Sequence, residues 1–429
     1  MMRVNKLEIK KVFILTLVFI LSLFIIIMNS EVNIHILVFI IFSITAILLV
    51  KIDIIHPYCW FTGFFCIYSI GHPILYSLGY SSNIGYSKEL MIFQIIALYT
   101  SLIIISPRSI KYDIKKFKRK NINLSLFNKL IYFLLIISIV IAAYFVVQGG
   151  YNGKDEIYES GSALLKMIFR FPLIISLIYS ISVISFYNKH EKLPLLQMII
   201  VCCAILVITL FSGERDFIFR FILINILILW VLKILKTKQL IILVPLLFLL
   251  IPLSSMFKYY FLRGSVNTLN TNVFHSLFSG EFESASRNLQ ILINCFDQTN
   301  GIKGFSQIIL DLVSVFDSSI NSTSTWFNSM FYSGSQTQYG FSLVGEGYLI
   351  GGYFGVVFLF MLIGVIIKIF YVFSNRNLYL LAAYLYFITI TIYSIRGDFG
   401  IILSGIAKQI CLVLSIVYLC QKISFLKSD

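Results

Sequence analysis

The stretches "SGERD" (212–216), "FLRGS" (261–265) and "SIRGD" (394–398) each set an arginine within two residues of a glycine beside an apolar run. A guanidinium is a planar fork that grips phosphate oxygens in pairs, and a neighbouring glycine lets a ligand approach the backbone. Arg215, Arg263 and Arg396 are therefore a candidate anion-binding set, with Arg287 in "SASRN" and Arg170 in "IFRFP" as further members. Any one of them has a structural explanation as well. Asp216 and Arg220 stand four apart and can pair along one helix, and an arginine near a span end can reach back to the interface. The whole set is harder to explain that way, because short outer loops are poor in Lys and Arg. A charge moved toward the hydrocarbon centre costs roughly 2.5–3.5 kcal/mol on insertion scales. Glu214, Asp216 and Asp398 offset part of that, and a diphosphate would offset more.

The elements that must hold these side chains are membrane helices. Of 429 residues, 59% are hydrophobic and 12% are charged, against about 25% charged in a soluble domain. The apolar runs have bilayer length, about 18 to 22 residues. We place spans near 12–28, 34–50, 57–79, 89–105, 127–147, 164–187, 194–211, 217–235, 240–257, 342–372, 378–395 and 401–419. The expected fold is thus all-α: a polytopic integral membrane protein of about twelve transmembrane helices. The net charge of +15 is spread over short loops such as "PRSIKYDIKKFKRK" and "KILKTKQ", which is a topology signal rather than a nucleic-acid surface. Roughly 22 of the 34 Lys and Arg fall in loops on one side, which puts both termini in the cytoplasm. The basic start "MMRVNKLEIKK" leads into an apolar run with no small-residue cleavage site, and is expected to remain as the first span.

Three regions follow. Residues 1–257 carry the first nine spans, 258–341 form one large outer loop, and 342–429 carry the last three spans and a cytoplasmic tail. In the loop, Phe282, Leu289, Ile293 and Phe296 fall near helical spacing with Glu283 and Arg287 four apart, so an amphipathic helix lying on the membrane is expected. The later part, "DLVSVFDSSINSTSTWFNSMFYSGSQTQYG", is rich in hydroxyl, amide and aromatic groups, a surface suited to carbohydrate. Among the seven cysteines no pair has zinc-ligand spacing, and the large loop holds only Cys295. The outer loops hold no clear Asp-x-Asp pair, and neither metal nor cofactor is expected. His72, beside Pro73 in "SIGHPIL", reads as a packing or kink residue.

The combination of many spans, one large late outer loop, a "SGERD" tip, the "FLRGS" segment and "GEGYLIGGYFGVVFLFMLIG" (345–364) resembles the O-antigen polymerase family, the oligosaccharide repeat-unit polymerases of bacterial envelopes. The resemblance covers most of residues 200–400. Tyr353 stands where the family often has Asn, and no Arg here matches the loop motif of one branch, an Arg and a Gly with ten residues between them. What the resemblance implies is glycosyl transfer at the periplasmic face of the inner membrane. The donor would be a glycan on undecaprenyl diphosphate and the acceptor an incoming lipid-linked repeat unit, with a separate membrane protein setting chain length. An O-antigen ligase, using the same donor, and a lipid-linked oligosaccharide flippase are the competing readings. Such chemistry asks for cations at the departing diphosphate, the role of the arginines, and for a proton acceptor at the attacking hydroxyl. The acceptor candidates are Glu346, Asp398 and His275, with Glu281 and Glu283 behind them.

Overall fold

The computed structural model describes residues 6–81, 83–112, 117, 123–147, 168–212, 214–240, 275, 278, 281–295, 303–317, 320–333 and 340–426. Every element among them is a helix. The N-terminal part runs through α1 (Lys6–Met28), α2 (Val32–Leu49), α3 (Pro57–Ser77), α4 (Lys88–Ile105), α5 (Leu124–Val147), α6 (Phe171–His190), α7 (Leu195–Ser212) and α8 (Arg215–Val231). The loop region gives α9 (Glu281–Asn294), α10 (Ser306–Ser314) and α11 (Thr323–Phe331). The C-terminal part gives α12 (Leu343–Phe373), α13 (Leu378–Ser394), α14 (Phe399–Ser404), a π-helical turn (Gly405–Cys411) and α15 (Leu412–Leu426). Eight helices among the described residues are long and apolar enough to cross a membrane, and Leu378–Ser394 is a shorter apolar one. All but the first residue of the run read as a span at 240–257 lies outside the described residues, as does Arg263.

Polar ties show which loops share an end of the bundle. Arg108 meets Glu8 at 3.9 Å and its carbonyl contacts His56 Nε2 at 3.2 Å, while the Tyr371 hydroxyl accepts from Ile110 N–H at 2.8 Å. The Trp230 indole donates to Asp53 at 3.3 Å in the same region. The start of α1, the α2–α3 turn, the segment after α4 and the ends of α8 and α12 therefore lie together. At the opposite end, Lys88 Nζ donates to the Ile27 carbonyl at 3.3 Å and His35 contacts the Tyr86 hydroxyl at 2.7 Å.

Two departures from the sequence reading matter for the site. First, α9 forms where its spacing predicts, but it does not lie on a surface. Phe282, Ala285, Leu289 and Leu292 are buried, and so are Glu283, Ser284, Ser286, Asn288 and Gln290 from the other faces. Polar groups of α3 and its neighbours receive them: Ser286 Oγ accepts the His72 N–H at 2.9 Å beside Pro73, and Gln290 Oε1 accepts the Ser87 N–H at 2.9 Å. A helix whose polar side is also paired inside belongs to the body of the protein.

Second, the stretch read as one span from 342 is broken. At Gly351 and Gly352 the backbone leaves the helix, and Gly352, with φ 58° and ψ −132°, holds a conformation that suits only glycine. The chain doubles back so closely that a Cβ on Gly355 would stand 2.2 Å from the Gly347 carbonyl oxygen. Residues 343–350 are thus a short arm folded against the start of the true span, Tyr353–Phe373. That span has 21 residues, about 31 Å at 1.5 Å per residue, which matches a hydrocarbon core of about 30 Å. Glu346 sits on the short arm rather than on the long span.

Candidate functional site

The turn "SIRGDF" (394–399) between α13 and α14 is where the predicted groups meet. It is pinned from the other strand of chain: Phe341 N–H donates to the Arg396 carbonyl at 2.8 Å and Leu343 N–H to the Ile395 carbonyl at 3.2 Å. Asp398 caps α14, its Oδ1 accepting the Ile401 N–H at 3.0 Å, and its Oδ2 accepts the Ser324 N–H at 3.0 Å. Glu346 Oε2 accepts the Phe399 N–H at 2.7 Å. The third carboxyl is Asp311, on α10. It accepts the Thr323 N–H at 3.0 Å and the Thr323 hydroxyl at 2.9 Å, and Gln307 in turn donates to that hydroxyl at 2.7 Å.

All three carboxyl groups are buried, Glu346 completely. Glu346 Oε1 meets no N–H or O–H donor, and the carboxyl group that acts on Glu346 most strongly is that of Asp311. Two neighbouring carboxyl groups in a dry site do not both ionise; such a pair holds one proton between them. Burial pushes the Asp311 acid above the ordinary carboxylate range; the hydrogen bond with Glu346 and the Thr323 donors work against this, and the negative charge of Asp398 adds to it.

The cationic half of the site lies on the other side of the same turn. Two guanidinium groups sit over the Tyr393 ring, Arg396 at 4.6 Å from its centroid and Arg220 at 4.8 Å. A guanidinium over an aromatic face is held by the ring quadrupole. Arg220 is only 4% exposed. Its Nε stands 2.9 Å from Asp216, the i,i+4 pair the sequence suggests, although the carboxylate is off the line of the N–H and leaves it without an aligned acceptor. The Tyr386 hydroxyl donates to Gln409 at 2.7 Å and lies in the fields of Arg220, Arg170 and Asp216. Arg170, at the start of α6, is close enough to act electrostatically on Lys408, which the π-helical turn presents on the surface. Such turns are frequent at functional sites. Tyr393 thus lies among Arg220, Arg396 and the carboxylates of Asp216 and Glu214, while Arg170 acts on Tyr386, seven residues earlier on the same helix, and on Lys408.

The remaining predicted residues have other surroundings. Arg215 is the first residue of α8, between Glu214 and Asp216. Arg287 pairs with Glu283 at 3.7 Å and faces the Tyr332 ring at 5.9 Å. Glu283 also accepts from Ser81 at 2.9 Å and stands 3.8 Å from His72. Burial alone would raise Glu283, but His72, Arg287 and Ser81 outweigh it and hold the acid below its usual range. His72 packs as expected, its Nε2 contacting the Gly85 carbonyl at 2.9 Å. His275 lies against the Tyr80 ring, 4.7 Å between centroids, and is not among the partners of the carboxyl group cluster. Among the described residues no group of three His, Cys, Asp or Glu side chains could hold a metal ion.

Structure therefore brings Glu346 and Asp398 to one turn, sets Arg396 beside Arg220 over Tyr393, leaves Arg170 near Tyr386 and Lys408, and adds Asp311 and Thr323. Asp311 was legible only as a lone acid inside "IILDLVSVF", an apolar stretch where an unpaired carboxylate demands a partner. No family model, no curated protein and no solved structure matches the chain.

Proposed function

We propose that the chain polymerises lipid-linked oligosaccharides, joining repeat units carried on undecaprenyl diphosphate at the periplasmic face of the bacterial inner membrane. The observation that carries this reading is the pair of guanidinium groups, Arg396 and Arg220, held over one ring, Tyr393, beside the turn that also anchors a buried acid pair. Two guanidinium forks set side by side at a membrane helix end suit a ligand with paired anionic oxygens, and a diphosphate has that charge and shape.

The chemistry distributes over the turn. The acceptor hydroxyl oxygen attacks the anomeric carbon of the donor glycan, the bond from that carbon to the diphosphate oxygen breaks, and its electron pair leaves with the lipid diphosphate. Arg396 and Arg220 face the charge that develops there; in comparable anion sites, loss of one such donor costs on the order of 10²- to 10³-fold in rate. The hydroxyl proton passes to a carboxylate, either Asp398 or the ionised member of the Glu346–Asp311 pair. Arg396 and Asp398 are two residues apart, so one turn of chain carries both a diphosphate clamp and a candidate base. In the arrangement described here α10 and α11 cover the acid pair, and proton transfer requires that cover to lift. The same reading has twelve spans, both termini in the cytoplasm and a separate chain-length regulator as partner.

The test is a strain lacking the protein, complemented with Arg396→Ala or with Asp216→Leu/Arg220→Met and checked for normal protein levels. Single repeat units capped on the lipid A core are expected. A bare core with lipid-linked polymer would make the protein a ligase instead, and inward-facing precursor would make it a flippase. A full-length glycan ladder from both variants would remove the clamp from the account.

A further inference from the structure

Helix α10 is built inside out. Its inner stripe, Gln307 and Asp311, is polar and buried, bonded to Thr323 and facing Glu346. Its outer stripe is apolar and exposed: Phe305, Ile309, Leu312 and Phe316 follow one another at helical spacing, with Ile309 63% and Phe316 79% exposed, and Leu310 and Val313 flank them. Large side chains left outward while acids turn inward reverse the rule for a helix facing water.

What covers this face is indicated by its neighbour. Phe305 makes edge contacts with Phe354 and Phe358, with ring centroids 6.2 and 4.9 Å apart. Those two belong to the true span of α12, which starts at Tyr353, and Phe354 is itself exposed on the surface that this span turns outward. The apolar stripe of α10 is therefore continuous with a membrane-facing surface, at the level where that span enters the hydrocarbon. Neither stripe carries a basic residue, so apolar burial rather than attraction to anionic headgroups would hold the helix there.

We propose that α10 lies in the boundary between headgroups and acyl chains and forms the lipid-contacting wall of the compartment holding Glu346 and Asp311. The bilayer is its partner, with Ile309, Leu312 and Phe316 as the inserted residues. The amphipathic interfacial helix expected at 282–296 is thus supplied by residues 306–314. One consequence is that the buried acid pair is separated from lipid by a single helix, whose inner face supplies one of the two acids. This inference does not depend on the identity of the substrate.

The experiment uses the full chain in nanodiscs of phosphatidylethanolamine and phosphatidylglycerol, doped with a phospholipid carrying a diazirine near the top of its acyl chain. After irradiation, lipid adducts are mapped by mass spectrometry. Adducts on residues 305–316, at a yield comparable to that on Phe354–Phe358, are expected, with the buried segment 281–294 free of them. Labelling of the transmembrane helices with none on 305–316 would overturn the proposal. So would chemical cross-linking of the same discs that joined two chains through residues 305–316, which would assign the face to a second copy.

Discussion

Arg220 and Asp216 permit stability and activity to be separated at one position. Their charges stand 2.9 Å apart with side-chain exposures of 5% and 18%. Coulomb attraction at that distance is roughly 6 kcal/mol for an effective dielectric of about 20, most of it spent on desolvation. Removing one partner leaves the other buried and uncompensated, which costs about 3–5 kcal/mol, whereas replacing both with apolar residues of similar size is often neutral or stabilising. Arg220→Met alone should therefore lower the melting temperature in detergent clearly, and Asp216→Leu/Arg220→Met should recover most of the loss. If Arg220 also meets the departing diphosphate, the double variant should still be slow by about 10²- to 10³-fold. The assay pairs thermal unfolding of the purified protein with the rate at which repeat units are joined. A double variant with both normal stability and normal activity would show that Arg220 is only half of a structural ion pair.

Three further outcomes are expected. Gly355→Ala should destabilise the protein severely, because its Cβ would stand 2.2 Å from the Gly347 oxygen, while Gly351→Ala, with open space around it, should be tolerated; protein levels and thermal unfolding decide this. The raised acid of Asp311 stabilises the fastening of 306–331 fully below the free-carboxyl value of about 3.9, and that contribution is lost as pH rises through the raised folded value. Hydrogen-exchange protection of that segment, corrected for intrinsic rates, should fall with rising pH, and Asp311→Asn should flatten the dependence. Lys303, pushed down to about 8 by burial and lying 3.3 Å from the Trp326 ring centroid, should give a fluorescence transition with a midpoint near 8 that Lys303→Met abolishes.

Much of the helical architecture is readable from the chain because bilayer-length apolar runs have few alternatives. The break in α12 was legible in principle: 31 residues exceed what a span needs, and "GG" at 351–352 marks where the surplus folds back. The two loop helices exchanged roles for a physical reason. Residues 282–293 have the spacing of a surface helix, but their polar face is bonded inside the bundle, whereas "QIILDLVSVF" looks too apolar for a loop until its outward face is seen. Glu346 and Asp398 were nameable because acids are scarce beside apolar runs. Arg220 was missed as a site residue because its pairing with Asp216 already explained it, and the Tyr393 ring that joins it to Arg396 is more than 170 residues distant in sequence. No local pattern reports that juxtaposition.

The central claim is that the cations around Tyr393 receive a diphosphate leaving group while glycan units are joined. The most direct measurement is a reconstitution of the purified protein with a lipid-diphosphate-linked repeat unit, following glycan length and free lipid diphosphate together. The account predicts one lipid diphosphate released for each repeat added, with both signals lost in Arg396→Ala at unchanged protein stability. Repeat units that remain unjoined with the intact protein, or joining that proceeds at the same rate without Arg396, would contradict it.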